Sequence, residues 1–106
     1  SKIKIISIVQ PTPTPKPSVF LSLSSPTDET VMSQKNVTVS GKTTSDTVVV
    51  ILTSGSEQVI TPAGNGNFSA TVNIDNGQNI IEITAIAPNG EDTKITRSVT
   101  YSLEEF

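Results

Sequence analysis

The sequence contains no cysteine, no histidine and no tryptophan, and it has one methionine and one tyrosine in 106 residues. Without Cys or His it cannot build a zinc finger, an iron–sulfur centre, a disulfide framework, a thiol nucleophile, a Ser–His–Asp triad or an imidazole acid–base pair. No apolar run approaches the roughly 18 residues of a membrane span. The nearest, residues 5–9, is interrupted by Ser7. No window of a dozen residues keeps a helical apolar stripe free of Gly or Pro, so helix is expected to be nearly absent. The length allows one domain of modest core. What remains is mostly binding, spacing and scaffolding.

Neutral polar residues fill the space left by 34% apolar and 16% charged residues, with 14 Ser and 15 Thr. A disordered chain would show more charge and fewer β-branched residues. Val, Ile and Thr abound here, and their stiff branched side chains favour the pleated surface of a strand. The prior is an all-β domain with a thin core. Charge is unevenly placed: residues 1–17 carry +3 and residues 18–106 carry −6, for a net −3. An acidic domain is a poor match for phosphate backbones, so no nucleic-acid partner is expected. The chain does not begin with Met, so it reads as a piece of a longer protein.

Residues 1–10, SKIKIISIVQ, read as a lone strand or, the favoured reading, as a flexible or loosely docked stub after a membrane anchor or a preceding domain. Residues 11–18, PTPTPKPS, hold a proline at every second position. Each proline fixes φ and removes an amide donor, so the segment is expected to be an extended polyproline-II spacer. A proline-motif ligand is the lesser reading. Two N-x-S/T tripeptides begin at Asn36 and Asn67, and the linker carries Thr12 and Thr14. None of these assigns glycosylation.

From Val19 onward, strands alternate with turns. Val19, Leu21 and Leu23 oppose Phe20, Ser22 and Ser24, and Pro26 ends the run. Val31–Met32 is a short apolar pair, and Val37 and Val39 lead to Gly41. Residues 48–52 are apolar throughout, which fits a strand inside a sheet or one covered on both faces. Residues 58–61, 68–74, 80–86 and 95–101 complete the set, with Arg97 intruding among Ile95, Val99 and Tyr101. Asn65-Gly66, Asn76-Gly77 and Asn89-Gly90 supply the positive φ that tight β connections need. Short strands spaced about ten residues apart are the signature of a sandwich.

The segment Gly64–Gly90 resembles a bacterial Ig-like repeat: G-x-F-S at Gly66–Ser69, an alternating strand, then the family's G-x-N-x-I-x-V-x-A from Gly77 to Ala85, with Ile83 at the Val position, and a Gly a few residues on. Val37-Thr38-Val39-Ser40-Gly41-Lys42-Thr43 looks like the family's V-x-V-x-G-x-T strand, and Pro17 and Ser25-Pro26 also fit. The resemblance covers residues 17–102. It is similar to Ig-like accessory domains of secreted bacterial glycoside hydrolases and cell-surface proteins, including the B-domain type of glucodextranase. It implies an Ig-like seven-stranded antiparallel β-sandwich over residues 18–103, after the stub and linker of residues 1–17 and before a tail at 104–106. The Cys–Trp–Cys core and Tyr corner of antibody domains are missing. Ala87 stands where the bacterial family often has aspartate, which weakens a metal site there. Physically, Phe68 plugs one end of the core, Gly77 turns the chain, Asn79 ties that turn to nearby backbone, and Ala85 is small where side chains crowd.

Little chemistry suggests itself. Asp28/Glu29 and Glu91/Asp92 are paired acids, but they are adjacent in predicted turns, where acids are solvated, so no catalytic pair is expected. Asp75-Asn76 and Glu91-Asp92 offer loop oxygens without the spacing of a calcium loop. Glu104 and Glu105 are tail residues. An isopeptide bond, known in some bacterial surface Ig-like domains, would need Lys42 or Lys94 near Asn79, and neither lysine falls on the predicted core face. For a sugar, the candidate contacts are Phe20 and Tyr101, since Phe68 belongs to the core. No cofactor or metal is expected. The sequence therefore suggests a non-catalytic, monomeric spacer of an extracellular or cell-surface bacterial protein, one that displays and docks neighbouring domains of the same polypeptide and is anchored, if at all, upstream of residue 1. The alternative is a carbohydrate- or cell-surface-binding accessory module of an extracellular glycoside hydrolase or adhesin, meeting cell-wall or host glycan. Residues 48–52 are expected inside a sheet, because an exposed apolar edge invites pairing with other chains.

Overall fold

The computed structural model describes residues 19–103. The stub and linker expected over residues 1–17 and the tail over 104–106 lie outside these residues. The described residues form eight strands and no helix: β1 (Leu21–Ser25), β2 (Thr30–Met32), β3 (Asn36–Thr43), β4 (Val48–Leu52), β5 (Glu57–Ile60), β6 (Asn67–Asn73), β7 (Gly77–Ile86) and β8 (Asp92–Tyr101). They make two layers, a three-stranded sheet in the order β1-β3-β6 and a five-stranded sheet in the order β2-β8-β7-β4-β5. The all-β, Ig-like sandwich is as expected, with eight strands rather than seven. The additional strand is the Val31–Met32 pair, too short to stand out by periodicity. It becomes a strand because its backbone is zipped to β8, and this β2–β8 pairing is parallel while the other five pairings are antiparallel.

Alternation decides which side chains meet between the sheets. In β3, Val37 and Val39 are buried while Asn36 and Thr38 are exposed; in β7, Asn79, Ile81, Ile83 and Ala85 all point inward. Val49 and Ile51 of β4, Phe68 and Val72 of β6, and Val99 of β8 complete the core, with Leu21, Leu23, Met32, Ile60, Ala70 and Tyr101 packed at its margin. Fully burying Ile51, Ile81 and Ile83 stabilises the fold by about 1.5–3 kcal/mol each. Strand β4 lies between β7 and β5, so residues 48–52 are inside a sheet as anticipated. Only one of its faces is covered by other described residues: Val49 and Ile51 are buried, but Val48, Val50 and Leu52 face outward.

The three Asn-Gly turns each have positive φ at glycine: +90° at Gly66, +80° at Gly77 and +92° at Gly90. Gly41 is needed for a different reason. It lies opposite Leu23, and a Cβ there would run into the Ser22 carbonyl oxygen of β1. Two non-glycine residues also take left-handed backbone, Glu29 at φ 58° and Asp46 at φ 70°. The Ser25–Pro26 peptide is cis where the chain crosses from the first sheet to the second.

Candidate functional site

Phe20 and Tyr101, the two aromatic contacts named from sequence, lie at opposite ends of the sandwich. Phe20 precedes β1 and is 51% exposed. Its backbone is fixed on both sides: the N–H donates to Thr44 Oγ1 at 3.2 Å, and the carbonyl accepts from Thr43 Oγ1 at 2.8 Å. The neighbouring Val19 carbonyl accepts from Thr93 Oγ1 near the start of β8. Tyr101 ends β8, eight residues beyond Thr93, which in a strand is about 27 Å. No single sugar ring touches both. Tyr101 is half-buried against the core margin, and the Lys35 ammonium sits 5.4 Å from its ring centroid. That contact is a cation–π pairing, and it occupies a ring face that a pyranose would need.

Acidic side chains from the turns hold local structure rather than facing one another. Asp28 Oδ1 accepts from the Ser98 N–H at 2.7 Å. Glu91 closes a turn: its N–H donates to Asn89 Oδ1 at 2.9 Å, its Oε1 accepts from Asn89 Nδ2 at 3.0 Å, and its carbonyl accepts from the Ala87 N–H at 2.8 Å. Asp75 Oδ2 accepts from Ser54 Oγ at 3.2 Å. Among the described residues no three Asp, Glu, His or Cys side chains converge as metal ligands would.

Asn79, the third residue of β7, ties the turn before that strand as expected. Its Oδ1 accepts from the Asp75 N–H at 2.9 Å, and its Nδ2 reaches the carbonyls of Asp75 and Gly77 at 2.9 and 3.0 Å. With its amide committed to backbone, Asn79 stands opposite Val99, whereas Lys94 stands opposite Thr84 five residues along the same ladder. Lys42 is exposed on the other sheet. No isopeptide pair is assembled. Lys94 instead bonds Glu82 at 2.9 Å, and this hydrogen bond and the Glu82 charge hold its ammonium pKa above the ordinary value.

Two open grooves have volumes of about 390 Å³. One, lined by residues such as Ser24, Thr30, Met32, Asn36 and Thr38, has neither a charged nor an aromatic side chain in its walls. It offers hydroxyls and amides and no catalytic acid. The outward face of the five-stranded sheet is more distinctive. Val48 is 39%, Ile80 48% and Val59 64% exposed, and Val50, Leu52 and Ile86 are half-buried among them. Strand β4 announced this face by its lack of alternation.

A further relationship was invisible in the sequence. The incoming segment, residues 19–32, pairs with β3 through β1 but is also tied to β8 at intervals on either side of β1. The ties run in order: Val19 carbonyl to Thr93 Oγ1 at 2.9 Å, Pro26 carbonyl to Arg97 Nε at 3.2 Å, Asp28 Oδ1 to the Ser98 N–H, then the parallel pairing from Thr30↔Val99 to Met32↔Tyr101. The Ser102 N–H donates to the Met32 carbonyl at 2.9 Å and ends the series. Arg97, which looked like an intrusion on an apolar face, is one of these ties.

No curated protein matches the chain in a sequence comparison. The family described as glucodextranase, domain B, matches residues 19–103, the same stretch that forms the sandwich. Domain B of glucodextranase is a non-catalytic accessory domain of a glycoside hydrolase. With most of its length matched, the chain belongs to the glucodextranase domain B family.

Proposed function

We propose that this chain is a non-catalytic, extracellular spacer module that holds neighbouring domains of a secreted or surface-anchored bacterial protein apart and transmits tension between them. The observation that carries this reading is the seam to β8, made of the parallel β2–β8 pairing and the side-chain ties at Val19, Pro26 and Asp28. The chain comes in beside Thr93 and leaves beyond Tyr101, at the opposite end. Tension applied through the two ends therefore loads the seam in shear, with several bonds sharing the load, rather than peeling them one at a time. The family match supports a module without a reaction of its own, as do the acidic side chains held in turn contacts, Asp28 by the Ser98 N–H and Glu91 by the Asn89 amide. No helix among the described residues is long and apolar enough to cross a membrane, and the extracellular setting rests on the hydrolase family.

The outward apolar face suits a tethered neighbour. Across β5, β4 and β7 the outward surface measures about 15 by 17 Å, on the order of 250 Å², and its apolar part is smaller, because Glu57, Glu82 and Thr84 stand beside Leu52 and Val50. A free specific complex covers about 800 Å² per partner. A patch this small serves best where a partner is already held close by the same chain, because the linker supplies the effective concentration.

The test uses the absence of cysteine, since introduced thiols are then unique handles. With Ser18→Cys and Leu103→Cys the seam is sheared; with Ser18→Cys and Asn89→Cys it is peeled from one end. Single-molecule pulling should give a clearly higher unfolding force in the first geometry. Equal forces would sink the tension-bearing reading. A glycan array run on the full chain, with specific sub-millimolar binding lost in Phe20→Ala, would favour the carbohydrate-binding alternative.

A further inference from the structure

Three asparagines are followed by glycine, Asn65, Asn76 and Asn89, and each lies between two strands. An asparagine side-chain amide can be attacked by the backbone nitrogen of the next residue, and glycine, with no Cβ, hinders that approach least. The fold treats the three pairs differently. Asn65 Oδ1 accepts from the Asn67 N–H at 3.0 Å, and the Gly66 N–H donates to the Ala63 carbonyl at 2.8 Å. Gly66 is also buried, so close to β3 that a Cβ would run into the Thr43 carbonyl oxygen. Asn89 is held at both ends of its amide, Oδ1 by the Glu91 N–H and Nδ2 by Glu91 Oε1, and the Gly90 N–H donates to the Ala87 carbonyl at 2.9 Å. Asn76 is exposed, and its side chain has no hydrogen-bond partner among the described residues. Gly77 is exposed too, with open space where a Cβ would stand. It forms the outermost rung of the β7–β8 ladder, opposite Tyr101, and ladder ends open at little cost. The Asn79 amide takes the Asp75 N–H and the carbonyls of Asp75 and Gly77, and leaves Asn76 between them untouched.

We propose that Asn76–Gly77 is a self-modification site, where the Asn76 amide is lost spontaneously and well ahead of those of Asn65 and Asn89. The Gly77 nitrogen attacks Asn76 Cγ and forms a C–N bond. The Cγ–Nδ2 bond breaks, and Nδ2 leaves as ammonia with the proton from the Gly77 nitrogen. Water then opens the five-membered imide. Opening at Cγ restores the ordinary peptide bond and leaves an aspartyl side chain. Opening at the backbone carbonyl carries the chain through Cβ and Cγ and leaves an isoaspartyl link. Nothing is oxidised or reduced. Either product adds a negative charge beside Tyr101, Ser102 and Leu103, where the last strand ends. The isoaspartyl form also lengthens the main chain by one carbon inside the loop that Asn79 closes, and so pulls the Asp75 and Gly77 groups off that amide. The change marks the age of the module at one end of the sandwich. It is independent of the shear reading, because it involves no contact of the seam.

Peptide mapping by mass spectrometry tests this on the full 106-residue chain, kept folded at neutral and at mildly alkaline pH. The amide-to-acid mass change should appear at Asn76 at least about tenfold faster than at Asn65 and Asn89, whose bonds must break first. It should run faster at the higher pH, since the Gly77 nitrogen attacks without its proton. In concentrated urea the three rates should converge. Asn76→Ser should abolish the early change and leave the unfolding midpoint where it was. Isoaspartyl chains, separated by anion exchange, should exchange the Asp75 amide faster than fresh chains. Equal rates at the three sites of the folded chain, or earlier loss at Asn65 or Asn89, would overturn the site. An Asp75 amide as slow in the isoaspartyl chain as in the fresh one would overturn the loosening of the turn.

Discussion

Gln58 Nε2 donates to the Thr71 carbonyl at 2.7 Å, and so joins the free edge of β5 to the free edge of β6 in the opposite sheet. Unpaired edge carbonyls are templates for a strand of another chain. One amide covers the middle of an edge that would otherwise be open, on the same side of the sandwich as exposed Val59. Gln58→Ala should cost about 1 kcal/mol in urea unfolding. It should also raise light scattering at high protein concentration, and unchanged scattering would show that this edge needs no cover.

Asn79 should be among the most sensitive polar positions. Its side chain answers the Asp75 N–H and two turn carbonyls from a buried site. Asn79→Ala leaves those groups without partners and should destabilise the fold by about 2–3 kcal/mol. Hydrogen exchange at Asp75 should accelerate well before that at Ile83.

Glu29 is held at φ 58°, where an L side chain crowds its own backbone. That conformation costs about 1–2 kcal/mol, and glycine avoids it at a smaller entropic cost. Glu29→Gly should therefore raise stability by about 0.5–1 kcal/mol, read as a higher urea midpoint at constant m-value. A loss would mean that the Glu29 side chain holds the turn before β2.

The Lys94–Glu82 pair makes a pH prediction. Glu82 raises the Lys94 pKa above its ordinary 10.5, chiefly through their hydrogen bond. A raised lysine pKa stabilises the folded state while the unfolded chain is still protonated. That contribution is complete below the unfolded value and is lost as pH rises through the folded one. NMR titration of the Lys94 side chain should show the raised midpoint, and Glu82→Gln should lower it.

Much of the sandwich was legible because burial follows a two-residue period that sequence displays directly. Val37, Val39, Phe68, Val72, Ile81 and Ile83 are inward as the alternation required, and Asn79 and the three glycine turns followed from local chemistry. What stayed hidden depends on contacts far apart in the chain. Nothing near Gln58 points to Thr71, and nothing near Pro26 points to Arg97, 71 residues away. The parallel direction of β2 likewise depends on which strand it meets, which a three-residue apolar pair does not encode. Phe20 and Tyr101 were found as aromatics off the central core. Their separation by the length of the molecule, and the lysine over Tyr101, needed the fold.

The opposite placement of the two ends also makes the module a store of length. Folded, it advances the chain by roughly 27 Å, the span from Thr93 to Tyr101. Fully extended, residues 19–103 would span roughly 290 Å. A single failure of the β2–β8 seam would thus release on the order of 260 Å of slack and let the tension on neighbouring domains fall before they yield.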